Sequence, residues 1–573
     1  MTTSEAVEGS VAQPRPTGLR LLARALSTRK SATMLAFGFS AGLPFALLIG
    51  TLNAWLGEAK ISLATIGVLS WIGLCSAFKF LWSPLVDRVA LPGLARLGRR
   101  KSWIILCQSV LVLAFIGLAA TDPATDIGRF AVFAVIGAFA SATQDIAVDA
   151  WRIDVADARS PVELLSAIYQ FGYRTASIVG GAGALILAAR MSWGSVYLLM
   201  AVLMGLMILT ALAAPDTARP PRGVEEGLLA EPGEIDARTR AIALVVVGAS
   251  WAWAIFTIGR FMVSMLAELP PGTVRPSVAD FMKVMGPWIV TATILVPLAV
   301  AATMNWLKDH GRRVQAVTDM TRSSARTAAN HLYAALVLPL AELSGRLRWG
   351  VLSVIGLILT YALCYNIWAS FAYPFYLDYL HYTKDEVAFA SKIFGIIMTI
   401  VGVSIGGYLF ARLGRFPTVL IGATLPILGN FLYADLAEGG AHIDVFAHAL
   451  RLDSLAGWFG SDERMMRLLL TICAENISTG IAGAAFVAYV SGIVSKRFSA
   501  VQYALLSSLT FLIGSLARGV AGEAFDKIGY APVFRYTAAV GLIAIAFVAL
   551  EWWRSNRYDP VTEPGGTGSE AVS

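Results

Sequence analysis

The chain alternates stretches of about 20 apolar residues with short polar breaks, and each stretch is long enough to cross a hydrocarbon core of about 30 Å as a helix. This pattern predicts fourteen spans: six at 33–55, 63–86, 102–120, 129–151, 162–189 and 192–214, two at 241–266 and 284–305, and six at 349–374, 386–410, 416–436, 465–494, 500–523 and 531–553. Nothing resembles the short alternating strands of an outer-membrane barrel, about 10 residues each. Composition agrees: of 573 residues, 57% are hydrophobic and only 14% charged, against about 25% charged in soluble domains. A soluble multidomain enzyme is therefore excluded, and the expected fold class is an all-α polytopic membrane protein.

Basic residues test the count of spans, because they collect in alternate loops when the count is right. Of the 45 Lys and Arg, 29 fall in the N-terminal segment, every second loop and the C-terminal segment. That bias predicts both termini on the cytoplasmic side. The net charge of +7 reports topology rather than a clustered basic face, so nucleic acid is not an expected partner. The bilayer is.

The chain also repeats itself. Asp87-Arg88 and Gly98-Arg99-Arg100-Lys101 follow the second span, and Gly407 to Arg412, Gly414 and Arg415 follow the tenth. Gln144-Asp145 and Glu475-Asn476 recur in the fourth and twelfth spans. Parallel repeats of this kind build many secondary transporters. The predicted organisation is a cytoplasmic tail (1–32), a six-helix bundle (33–214), a linker (215–240), an inserted helix pair (241–305), a basic amphipathic loop (306–348), a second six-helix bundle (349–553) and a C-terminal tail (554–573). The tail segments 1–17 and 555–573 read as disordered, and the inserted pair is expected to be peripheral or lipid-facing.

Other classes find little support. Cys75, Cys107, Cys364 and Cys473 lie in apolar stretches without paired spacing, so neither a disulfide framework nor a thiolate metal site is expected. Residues 1–30 lack an apolar core of their own, so no cleavable signal is predicted. There is no phosphate-binding glycine loop and no His-Glu-x-x-His, which argues against an ATP-driven pump or a membrane enzyme. No loop is long enough for a signalling domain.

Ionisable side chains at membrane depth are costly and face a cavity or a partner. Asp145 and Asp149 lie four residues apart on one helical face, which suits a proton carrier; an interfacial salt bridge with Arg152 is the competing reading for Asp149. Lys79 falls at nearly the depth of Asp145 and is expected to pair with it. Arg174 and Glu475 fall near the midplane of opposite halves. Arg174 suits an anionic ligand or a permanent ion pair, and Glu475 suits proton coupling or structural pairing. Arg260, Lys392, Arg518 and Arg535 lie near the outer ends of their spans, where snorkelling to the interface is expected.

The Asp-Arg and Gly-Arg-Arg-Lys pattern after the second span resembles the signature of the major facilitator superfamily. That resemblance implies two six-helix bundles rocking about a central site, and a conformational latch at Asp87, Arg88, Arg99, Arg100, Arg412 and Arg415. More specific strings run from Phe39 to Pro44, Leu52 to Leu56, Lys79 to Arg88, Ala142 to Ala150, Gly172 to Arg174 and Gln502 to Ser508. They are similar to the AmpG family of muropeptide permeases. This resemblance implies proton-driven import of anhydro-muropeptides across the bacterial inner membrane, for peptidoglycan recycling and β-lactamase induction, by a monomer without a cofactor. A sugar-peptide ligand needs aromatic faces and amides beside its charge clamp, for which Asn53, Trp55, Gln144, Tyr173 and Asn476 are candidates. An interfacial role competes for Trp55. Export of a drug or another anionic metabolite on the same scaffold remains the alternative, with acetyl-CoA transporters as more distant relatives.

Overall fold

A computed structural model describes residues 28–157, 160–215, 237–267, 275–310, 332–452, 462–494 and 499–558, apart from positions 90, 92, 94, 161, 334 and 335. Residues 1–27 and 559–573 of the expected tails, most of the 215–240 linker and the middle of the basic loop lie outside the described residues. Residues 29–32, by contrast, belong to the first helix and 554–558 continue the last one, so the disorder expected from 555 does not hold for 555–558. Thirteen helices among the described residues are long and apolar enough to cross a membrane. They are α1 (Arg29–Glu58), α2 (Leu63–Leu81), α3 (Arg99–Ala119), α4 (Ile127–Val155), α5 (Leu164–Ala188), α6 (Trp193–Ala213), α7 (Arg238–Leu266), α8 (Val278–Leu307), α9 (Gly350–Tyr379), α10 (Lys384–Leu413), α11 (Arg415–Ala437), α12 (Glu463–Ile493) and α14 (Tyr530–Arg557). A further helix of 30 residues, α13 (Ser499–Ile528), occupies the place predicted for 500–523. The start of α1 and the end of α14 share one face, called here the terminal face.

Helices begin where a polar side chain can cap them. Thr28 accepts from the Ser31 backbone at 3.1 Å, Asp126 from Arg129 at 2.8 Å and Asp462 from Met465 at 2.7 Å, each satisfying an amide with no partner inside the helix. Within lipid no other backbone group can be left open.

The two six-helix sets, α1–α6 and α9–α14, are built alike. The third helix of each packs along the fourth and the sixth. Glycines let paired backbones nearly touch: a Cβ on Gly38 or Gly172 would stand 2.2 Å from a backbone oxygen across the α1–α5 crossing. A Cβ on Gly402 would stand 2.3 Å from the Ile477 oxygen across α10–α12. The halves meet along two related seams, α2 against α13 and α5 against α10.

The inserted pair α7–α8 covers the α2–α13 seam, so only its outer surface follows the lipid-facing expectation. Trp71 of α2 packs on Phe261 of α7 and Phe281 of α8, with ring centroids 5.8 and 6.2 Å away. Glu523 of α13 accepts from the Ser277 hydroxyl at 3.0 Å and the Ala279 amide at 2.8 Å, at the start of α8. Phe256, Val263 and Trp288 remain exposed on the far side. Apolar composition suits both surfaces equally, so it could not say which one was covered. Part of the basic loop forms a short helix, Leu338–Leu347, at the terminal face. It is tied to α13 by Gln502, whose amide donates to the Pro339 oxygen at 2.9 Å.

Candidate functional site

Four helices that line the space between the halves contain wide π turns: Ala46–Thr51 in α1, Val179–Gly183 in α5, Phe375–Tyr379 in α9 and Ala388–Phe394 in α10. In α1 and α9 these turns follow Pro44 and Pro374, whose missing N–H interrupts the ordinary ladder. α2 is broken as well, by a 3₁₀ turn at Lys79–Leu81. Pro84 cannot donate to the Phe80 carbonyl, and the Ser83 hydroxyl takes that acceptor at 3.1 Å. This break carries Lys79 to the edge of a central cavity.

The cavity measures about 570 Å³ and is walled by α1, α2 and α5 from one half and by α9, α10, α12 and α13 from the other. Such a volume suits a small organic ligand. Lys79, Arg174, Lys392 and Arg518 line it, facing Glu475. Lys79 Nζ lies 3.7 Å from Asp145 Oδ2, while Asp145 Oδ1 is buried without a hydrogen bond. In the other half the Tyr433 hydroxyl donates to Glu475, and Tyr376 bonds to Tyr433 in turn. Each half therefore holds one acid beside the cavity, in different surroundings: a lysine for Asp145 and a tyrosine chain for Glu475.

The wall is polar and aromatic between these charges. Lys392 Nζ lies 5.2 Å from the centre of the Tyr373 ring, a cation–π arrangement. Asn476 accepts from Thr399 at 2.9 Å. The Tyr373 hydroxyl, the Ser391 hydroxyl and Asn366 Nδ2 are cavity-wall groups without a protein hydrogen bond. They are buried polar groups beside the cavity that the protein itself leaves without a partner among the described residues.

Of the residues proposed from sequence, the structure brings Lys79, Asp145, Tyr173, Arg174, Glu475 and Asn476 to this cavity or its edge. Asp149 accepts from Arg152 at 2.9 Å on its own helix. Three candidates stand elsewhere. Trp55 is buried among Phe130, Trp193 and Tyr197, with centroids 5.0 to 6.0 Å away, and fills the core of its own half. Asn53 is 3% exposed and donates to the Ile49 oxygen of its own helix at 3.0 Å. Gln144 is fully buried and donates to Ser40 at 2.9 Å, joining α4 to α1. Their side chains point into helix contacts, which depth alone cannot reveal.

Two cavity cations escape the sequence reading. Lys392 and Arg518 do not snorkel: both line the cavity, and Arg518 is 6% exposed with Nε donating to the Asn366 oxygen at 2.9 Å. The available signal was their place in spans otherwise almost free of charge, and it was outweighed by their apparent nearness to the outer ends. Arg535 stays at the surface on Glu438, and Arg260 is exposed.

The latch residues sit within their own halves where their side chains are described. Arg100 Nε bonds Asp154 of α4 at 2.9 Å, Arg412 lies over Tyr408, and Arg415 lies over Phe416 and Tyr489. Arg99 is half-buried at the start of α3, while the side chains of Asp87 and Arg88 fall outside the described residues. Contacts between the halves gather on the face opposite the termini. Lys384 bonds Glu58 at 2.7 Å, Lys60 bonds Asp378 at 3.2 Å and Arg190 bonds Asp385 at 2.9 Å. The Ala64 amide donates to Asp526 at 3.0 Å. This conformation is thus held shut on that face.

A charged cavity at the centre of two like-built membrane bundles, closed on one face, is the architecture of a secondary transporter. The family model of the Major Facilitator Superfamily matches residues 31–271, which supports reading this multi-pass all-α membrane protein as a transporter of that kind. Its relatives narrow this further. It is 28% identical over 534 residues to the anhydromuropeptide permease of Escherichia coli K12, covering 92% of this chain and 82% of that protein. It is 26% identical over 508 residues to the putative transporter AmpG 4 of Rickettsia conorii, covering 89% and 93%. Both relatives support the resemblance to AmpG-type transporters. Among solved structures, an auto-inhibited POT family peptide transporter superposes with a TM-score of 0.60 at 12% identity, covering 94% of this chain and 99% of that one. The POT family transporter PepTSo does so with 0.58 at 11%, covering 93% and 99%. These two likenesses concern the fold.

Proposed function

We propose that this transporter imports anhydro-muropeptides across the bacterial inner membrane in symport with protons, its terminal face being cytoplasmic. The observation that carries the reading is the set of four cations, two from each half, around one cavity. A ligand whose carboxylates bridge Arg174 on one side and Arg518 or Lys392 on the other draws the halves together, and guanidinium groups suit carboxylates. The unbonded hydroxyls and amide of the α9–α10 wall suit a sugar. The name of the Escherichia coli relative supports the same substrate class.

Coupling on this reading runs through Asp145. Unprotonated, it holds Lys79; a proton on Asp145 cancels that attraction and releases Lys79 to an anionic group of the substrate. Glu475, hydrogen-bonded by Tyr433, is the second proton site. The proton gradient is then the energy source, and delivery to the cytoplasm serves peptidoglycan recycling and β-lactamase induction. Calorimetry of the purified protein with GlcNAc-anhydroMurNAc-tripeptide tests the substrate. Binding that weakens when the peptide carboxylates are amidated supports the reading, whereas no binding by folded protein overturns it.

A further inference from the structure

A second cavity, of about 500 Å³, lies away from the transport path, between the inserted helix α8, the short helix Leu338–Leu347 and the start of α9. Its long wall is one stripe of α8: Leu295, Leu298, Ala299 and Ala302, ending at Asn305 and Trp306. That spacing keeps one helical face, and the stripe runs on the order of 16 Å along the membrane normal. Leu352 of α9 supplies the facing apolar wall. Leu295, Trp306, Trp349 and Leu352 are all about half exposed, so the groove opens sideways, toward what surrounds the helices at this depth.

Only at the terminal-face end does the groove become polar. Ser344, Asn305 and Arg348 gather there. Arg348 is exposed, stands at φ +51° where the chain turns sharply from the short helix into α9, and makes no ion pair among the described residues. The nearby Glu342 is already engaged by Arg346 and Gln502, and no carboxylate lines the groove. Trp306 and Trp349 flank this end, the residue type that settles at headgroup level.

We propose that this groove is a binding site for one anionic phospholipid, its acyl chain along the α8 stripe and its phosphate on Arg348, with Ser344 and Asn305 as further hydrogen-bonding groups. A free anion in water would have no use for an apolar wall of this length, and a zwitterionic lipid would gain less from a lone guanidinium. The bound lipid fills the gap between the inserted pair and the second bundle. The site is independent of the transported substrate.

Native mass spectrometry of the full chain, purified in mild detergent and titrated with phosphatidylglycerol or phosphatidylcholine, tests it. The wild type is expected to retain one phosphatidylglycerol several-fold more than phosphatidylcholine. R348Q should lose that preference while still binding lipid, and A302F, placed on the exposed groove wall, should lower occupancy by both lipids. A melting temperature raised by phosphatidylglycerol in the wild type but not in A302F gives a second readout. Equal retention of the two lipids by the wild type, or an unchanged preference in R348Q together with unchanged occupancy in A302F, overturns the proposal.

Discussion

Arg518 donates from Nε to the backbone oxygen of Asn366 at 2.9 Å, fixing a buried guanidinium of α13 against α9 at the edge of the transport cavity. The same residue sits on the α2–α13 seam, where a Cβ on Gly67 would stand 2.5 Å from the Arg518 backbone oxygen. Among the described residues this guanidinium makes that one hydrogen bond, and Arg518 lines the cavity.

Replacing that cation should weaken the substrate more than the fold. R518Q removes a charge-assisted contact of about 1.5–3 kcal/mol, so the KM for transport should rise about 10- to 100-fold. R518K should recover part of the loss. Uptake kinetics alongside melting curves check this, and an unchanged KM in a folded R518Q refutes the assignment.

Lys79 and Asp145 are expected to behave as a coupled unit. D145N should still exchange labelled substrate across the membrane but should no longer accumulate it against a gradient. K79D/D145K should regain some of the exchange lost in K79D. Counterflow measured beside gradient-driven uptake separates the two activities.

For Glu475 the expected loss passes through its tyrosine. E475Q should abolish proton-driven accumulation, while Y433F, which removes the hydrogen bond donated to Glu475 and the one shared with Tyr376 but keeps the acid, should slow it by a smaller factor. Proton currents on a supported membrane check the order.

Charge reversal on the closed face should shift the conformational balance. Exposed ion pairs contribute only about 0.2–1 kcal/mol each, yet K384E breaks the bond to Glu58 and puts like charges together across the halves. Cysteines placed above the cavity should then react faster with a membrane-impermeant thiol reagent. E58K/K384E should restore the slow rate.

Crossing geometry gives a purely structural test. G38L drives a side chain into the Tyr169 oxygen across α1–α5 and should cost at least about 2 kcal/mol. G205A, whose added carbon meets nothing within 4 Å, should melt like the wild type. Thermal unfolding in detergent checks both.

Much of this architecture was legible in the sequence, because apolar length and the alternation of basic loops are read without knowing which way a helix faces. Lys79 and Asp145 could be paired on depth alone, since both lie about a quarter of the span from the same side. Facing direction is a different property. Trp55, Asn53 and Gln144 share the right depth or motif but turn into their own bundle, whereas Lys392 and Arg518 turn inward from positions that look interfacial. Helix rotation is set by the glycine crossings and π turns, and those depend on neighbours distant in the chain. The covering of the α2–α13 seam by α7 and α8 was hidden for the same reason.

The most direct test is uptake of labelled GlcNAc-anhydroMurNAc-tripeptide into proteoliposomes, with and without an inward proton gradient, for the wild type and D145N. Accumulation by the wild type that requires the gradient and is absent in D145N is the predicted result. Accumulation without a gradient, or gradient-driven accumulation by D145N equal to the wild type, would contradict it.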